Sequence, residues 1–166
     1  MNGKQLFGLS AMLLVAACRE QPALGYDGIA GVSWGTPLSE ARIHLGQPLA
    51  VESNADSGCT YTTATIAGQP VPLMVVDGRI VRADVTSDSS LRAPGGGYLG
   101  AAASSLIEAY GERLRQRPHK YTEGQYLIAL SPTDSMRRMV FEVADGRVVR
   151  WRIGLYPPVE YVEGCS

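Results

Sequence analysis

Val76-Asp-Gly-Arg-Ile-Val-Arg-Ala-Asp-Val85 and Ala144-Asp-Gly-Arg-Val-Val-Arg-Trp-Arg-Ile153 are two versions of one stretch, 68 residues apart. Asp-Gly between alternating runs is the strongest short signal for a β-hairpin, because both turn positions need a positive φ. After each turn apolar and polar residues alternate. Val81, Ala83 and Val85, and Val149, Trp151 and Ile153, point to one side; Arg82, Asp84, Arg150 and Arg152 point to the other. A period of two predicts strands with one buried and one wet face.

Working outward, a second block recurs in the same order. Gly35-Thr-Pro-Leu-Ser-Glu-Ala-Arg-Ile-His-Leu-Gly46 aligns with Gly100-Ala-Ala-Ala-Ser-Ser-Leu-Ile-Glu-Ala-Tyr-Gly111 at an offset of 65, as Tyr61 does with Tyr126. Two blocks at nearly one offset predict an internal duplication. In the first, Thr36 is a suitable N-cap, Pro37 suits the first helical turn, Leu38, Ala41 and Leu45 share a face, and Gly46 ends the helix. In the second, Ala103, Leu106, Ile107 and Tyr110 recur at helical spacing. Strands are expected at 59–66, 71–76 and 79–86, and again at 125–131, 137–144 and 147–155. The fold class expected is therefore α+β: a tandem repeat of a short helix packed on an antiparallel β-meander, in two similar lobes. The boundaries read as a signal peptide over 1–17, a tether over 18–27, a first repeat over 28–87, a Ser/Pro/Gly-rich linker over 88–97, and a second repeat with a C-terminal tail over 98–166.

The motif carried by Gly35, Glu40, Ala41, Leu45 and Gly46, followed by a meander, resembles the repeat of β-lactamase inhibitory proteins. It also resembles the small lipoprotein of the outer-membrane β-barrel assembly machine. Ser105 stands where the first unit has Glu40, so the second unit matches less well. The segment Arg117-Pro-His-Lys-Tyr121 to Tyr126, with the ending Val159-Glu-Tyr-Val-Glu-Gly-Cys165, is similar to an uncharacterised group of secreted bacterial proteins.

The N-terminus has the three parts of a secretory signal: Lys4, an apolar Leu6–Leu14, and small residues before a cysteine. Val15-Ala16-Ala17-Cys18 resembles the lipobox of bacterial lipoproteins. That resemblance implies cleavage before Cys18, a lipidated cysteine as membrane anchor, and, with Arg19 rather than Asp next, sorting to the outer membrane, facing the periplasm or the cell surface. Cys59 and Cys165 then remain, and two cysteines in an exported chain read as one disulfide.

The chain carries 15 Lys/Arg against 16 Asp/Glu. Loss of 1–17 removes only Lys4, and a mature charge near −2 argues against nucleic acid as partner. The charge is uneven, the first half acidic and the second basic. Arg113, Arg115 and Arg117 alternate and would share one face of an extended strand. With His119, Lys120, Tyr121, Tyr126, Arg150 and Arg152 they form an Arg/Tyr-rich patch, the residue types enriched in binding hot spots.

Gly31-Val-Ser33-Trp-Gly35 has the spacing of a nucleophile elbow, but no convincing core strand precedes it. Gly95-Gly-Gly97-Tyr-Leu-Gly100 has the spacing of a dinucleotide loop, but Ser89–Pro94 is no strand, so it reads as linker. His44 falls on the exposed side of the first helix. His119 is a conceivable acid/base with Tyr121 or Glu123. The ligands for a zinc site are missing, and no cofactor is called for. The expected function is a non-catalytic, lipid-anchored binding or assembly module with a protein partner, inhibitor-like by resemblance. The alternative is an envelope hydrolase or glycan-active enzyme using His119 or Ser33.

Overall fold

The computed structural model describes residues 23–51, 58–86 and 89–165. The expected signal peptide and lipidated Cys18 lie outside the described residues. Three two-residue strands come first: β1 (Leu24–Gly25), β2 (Gly28–Ile29) and β3 (Val32–Ser33). Helix α1 (Leu38–Leu45) leads into β4 (Cys59–Ile66), β5 (Gln69–Val76) and β6 (Arg79–Val85). Helix α2 (Ala103–Tyr110) leads into β7 (Leu114–Pro118), β8 (Gln125–Leu130), β9 (Arg137–Ala144) and β10 (Arg147–Leu155).

Both Asp-Gly pairs adopt the expected turn, with φ of 49° and 72° at Asp77 and Gly78 and of 49° and 73° at Asp145 and Gly146. The segment before each helix is stapled to its hairpin in the same way. Gly35 N–H donates to Ile80 O at 2.7 Å and Gly100 N–H to Val148 O at 2.8 Å. Arg79 Nη1 donates to Gly35 O at 2.8 Å, and Arg147 Nη1 to Gly100 O at 2.9 Å.

The fold class nevertheless differs from the α+β tandem repeat that the sequence suggested. The molecule is mostly β. β6 and β10 pair antiparallel, with Val85 opposite Trp151, Ala83 opposite Ile153 and Arg82 opposite Gly154. That pairing merges the two meanders into a single seven-stranded antiparallel sheet of order β4-β5-β6-β10-β9-β8-β7, beside a separate three-stranded sheet, β1-β2-β3. The physical reason is the edge problem: two separate meanders would leave four unpaired strand edges, and joining their last strands removes two of them. Two eight-residue helices cannot each cover a lobe. Instead one apolar cluster runs across the sheet, from Leu73, Ile80 and Ala83 to Phe141, Trp151 and Ile153, and includes Ala41, Leu106 and Tyr110 from the helices.

Smaller expectations also change. Pro37, not Thr36, precedes the first helical residue, and no side chain caps that end; Leu38 N–H donates instead to Gly78 O of the hairpin at 2.8 Å. Leu24, inside the expected tether, and Leu91 and Ala93, inside the expected linker, are buried in the core. Strict alternation fails at two bulges, between Val148 and Arg150 in β10 and at the matching place in β6, opposite Met74 and Val75. The extra residue in β10 is Val149, which is 49% exposed rather than core-facing. Beside the β6 bulge, Gly154 is required by contact: a Cβ there would lie 2.1 Å from Val81 O.

Candidate functional site

The second face of the sheet, expected to be wet, is covered by the chain's own C-terminus. After β10 comes a 3₁₀ turn at Pro158–Glu160, and the tail then runs to Cys165, which is disulfide-bonded to Cys59 over a sequence separation of 106. Closing so long a loop is worth roughly 4–5 kcal/mol in the chain-entropy model. Val159 is wholly buried in a small apolar cluster with Tyr126, Ile128 and Val140, and Leu130 and Val162 pack around it.

The arginines hold this tail by its backbone as well as its side chains. Arg82 Nη1 donates to Pro158 O at 3.1 Å and to Tyr161 O at 2.8 Å, while its other nitrogens form an ion pair with Asp84 at 2.6 Å. Arg152 Nε donates to Val159 O at 2.6 Å and its Nη1 to Glu142 Oε1 at 2.5 Å. These two arginines are 4% and 2% exposed. Burial, followed by the nearby charge of Arg82, lowers the pKa of Arg152. The carbonyls and carboxylates are what make two adjacent buried cations tolerable.

The side chains of the tail are clamped too. Glu160 pairs with Arg117 at 2.8 Å and with Arg138. Glu163 pairs with Lys120 at 2.6 Å and accepts from the Tyr121 hydroxyl. Those two hydrogen bonds hold the Glu163 carboxyl below its ordinary range, and the bond to Glu163, followed by one to Tyr121, raises the pKa of Lys120.

The proposed patch is thus brought together, though not as a free surface. Arg117, Lys120, Tyr121, Tyr126 and Arg152 meet the tail or the cluster beneath it. Arg150 and His119 join through Glu142, at 3.0 Å and 3.8 Å. The His119 ring stacks on Tyr126 with centroids 4.5 Å apart, and its Nδ1 accepts from Tyr121 N–H at 3.1 Å. Tyr126 is buried, which raises its hydroxyl pKa, and the Glu142 charge adds to that. Arg113 and Arg115 stand apart. Arg113 ends a 3₁₀ turn and donates to Leu130 O at 3.0 Å, and Arg115 bonds Glu112 O at 2.5 Å.

Sequence reasoning missed Arg82, Asp84, Arg138, Glu142, Glu160 and Glu163. A signal was available: Val159-Glu-Tyr-Val-Glu163 is an acidic, apolar segment that the disulfide delivers to a basic face.

The other motifs land elsewhere. Ser33 is exposed and borders an open cleft of about 370 Å³ with Tyr26, Asp27 and Pro94, which no histidine lines. His44 is 3.6 Å from Glu40 on α1, both exposed. Glu123 lines a different cleft, with Gln116, Gln125 and Asp145. In the glycine-rich loop, a Cβ at Gly97 would lie 2.6 Å from the Phe141 ring and one at Gly95 would lie 2.7 Å from the Tyr110 ring. Those glycines let the backbone approach the aromatic core. Among the described residues no group of three or more His, Cys, Asp or Glu is placed to hold a metal ion, and no helix is long and apolar enough to cross a membrane.

No protein-family model matches the sequence, and no curated protein matches it either. Among solved structures, the chain aligns with a crystal structure of an extracellular protein containing a SCP domain from Bacillus anthracis str. Ames, at 15% identity and a TM-score of 0.47. The alignment covers 94% of this chain but spans only 50% of that one. A likeness this distant carries no argument about fold or function.

Proposed function

We propose that this chain is an exported, lipid-anchored, non-catalytic binding protein of the bacterial envelope that engages a protein partner. The observation that carries the binding reading is the rim around the strapped tail. Arg117, Lys120, Tyr121 and Arg150 each keep more than half of their side chain or residue surface in solvent, while their other ends are fixed by Glu160, Glu163 and Glu142. Pre-organised arginine and tyrosine side chains lose little freedom on association, which is what binding hot spots require. Export is supported by the signal-like 1–17 and by the Cys59–Cys165 disulfide, which suits an oxidising compartment. The anchor rests on the lipobox resemblance at Cys18, and sorting to the outer membrane on Arg19.

Crosslinking in intact cells, followed by purification of the lipidated protein and mass spectrometry, tests the binding reading. One protein recovered repeatedly, and lost from an Arg117→Ala, Arg150→Ala double variant that still folds, is the expected result. Recovery unchanged by that variant, or no partner at all, overturns it. Metabolic labelling with palmitate tests the anchor: the label is expected on the wild type and absent from Cys18→Ala.

A further inference from the structure

The tail is bound in the manner of a peptide ligand. Recognition of an extended peptide combines main-chain hydrogen bonds for affinity with pockets and charges for specificity. Here Arg82 and Arg152 supply three hydrogen bonds to the carbonyls of Pro158, Val159 and Tyr161. The cluster of Tyr126, Ile128 and Val140 takes Val159, and Arg117 with Arg138 takes Glu160. The tail fills the face incompletely: a cleft of about 160 Å³ remains beneath it, between Tyr126, Ile128 and Arg152 on the sheet and Glu160 and Val162 on the tail. The latch is approachable. Cys59 and Cys165 are both partly exposed and line an open cleft of about 400 Å³ with Lys120 and Glu163. A disulfide open to solvent on one side is the kind that exchange chemistry reaches.

We propose that the C-terminal tail is the latched occupant of a peptide-binding groove. Reduction of Cys59–Cys165 lets the tail leave, and the sheet face then takes an extended partner segment of the same apolar–acidic pattern. The exchange balances with a dithiol as reductant. Its thiolate attacks one sulfur and displaces the other as a thiolate; its second thiol then closes the reductant's own disulfide, leaving Cys59 and Cys165 as thiols. This rests on the binding-module reading and adds a second surface, the groove beneath the tail, which opens once the disulfide is reduced, whereas the rim described above belongs to the oxidised form. The released tail stays joined to β10 and competes at an effective concentration on the order of millimolar. A partner therefore displaces it more readily when the contacts of the tail are weakened.

The test uses the full mature chain, oxidised or reduced with dithiothreitol, and a fluorescent peptide of the sequence Pro-Val-Glu-Tyr-Val-Glu-Gly. The expected result is binding at least tenfold tighter to the reduced chain than to the oxidised one. A further several-fold gain is expected in reduced Glu160→Ala, whose own tail competes less well, and a loss when both peptide glutamates are glutamine. Hydrogen exchange on the reduced chain should show residues 158–165 deprotected while β8–β10 stay protected. Equal binding in the two redox states, no binding by a reduced chain whose sheet is intact, or deprotection of sheet and tail together each overturns the proposal. If the in-cell crosslink to the oxidised protein persists through any of these, only the latched groove falls and the binding module stands.

Discussion

Arg82 Nη1 lies 2.8 Å from the carbonyl oxygen of Tyr161, 79 residues along the chain. A side chain of the first Asp-Gly hairpin therefore ends up as the clamp on the last segment, and the sheet between them is the floor of the candidate site.

Replacing Arg82 by Met removes one partner of a buried ion pair and leaves Asp84 and two tail carbonyls unsatisfied. The expected loss is about 3 kcal/mol. Urea unfolding of the oxidised protein measures it, and a loss below a third of that would show that water replaces the guanidinium easily.

Glu142 and Arg150 form one pair whose two ends differ in burial. Glu142→Gln leaves Arg152 buried without its counter-charge and is expected to cost about 3 kcal/mol. Arg150→Ala removes only the exposed partner and should cost less than about 1 kcal/mol. Thermal unfolding of the two variants side by side checks the ratio.

Gly154→Ala places a methyl group 2.1 Å from Val81 O, on the β10 strand that pairs with β6 beside the β5–β6 bulge. Backbone cannot yield as a side-chain tip does, so the cost is expected at the upper end of overpacking, about 3 kcal/mol. A melting temperature equal to that of the wild type would argue against the β6–β10 pairing itself.

The Glu163 contact should respond to acid. Its carboxyl titrates below the ordinary value of 4.5 because Lys120 and Tyr121 hydrogen-bond the charged form. The contact is therefore fully present above that value and is lost as pH falls through the lower folded one. The Lys120 pKa is raised, so its share is present below its ordinary value and lost only as strongly alkaline pH rises through the folded one. The Gly164 amide resonance, followed from neutral pH into acid, should titrate with a midpoint below 4.5. A midpoint at or above it would mean that the clamp does not form in solution.

Local features were legible in the sequence because local energetics decide them. Asp77-Gly78 and Asp145-Gly146 demand positive φ whatever surrounds them, and Gly46 ends α1 in the left-handed conformation for the same reason. With Cys18 set aside on the lipobox resemblance, the two remaining cysteines, Cys59 and Cys165, were expected to pair, and they do. What a period of two cannot say is which strand edge meets which. The union of β6 with β10, and with it a single seven-stranded sheet in place of two lobes, was decided by competition among all the edges in the molecule. Burial of Arg82 and Arg152 was equally out of reach. Their alternation marks only the face opposite the core, and whether that face is wet depends on a tail arriving from far along the chain, whose carbonyls meet two guanidiniums already paired with Asp84 and Glu142 on the sheet. Sequence alone therefore determined the turns, the helices and the disulfide. Tertiary structure alone decided that the basic face closes on the C-terminal tail, whose carbonyls accept from Arg82 and Arg152 and whose Glu160 and Glu163 pair with Arg117, Arg138 and Lys120.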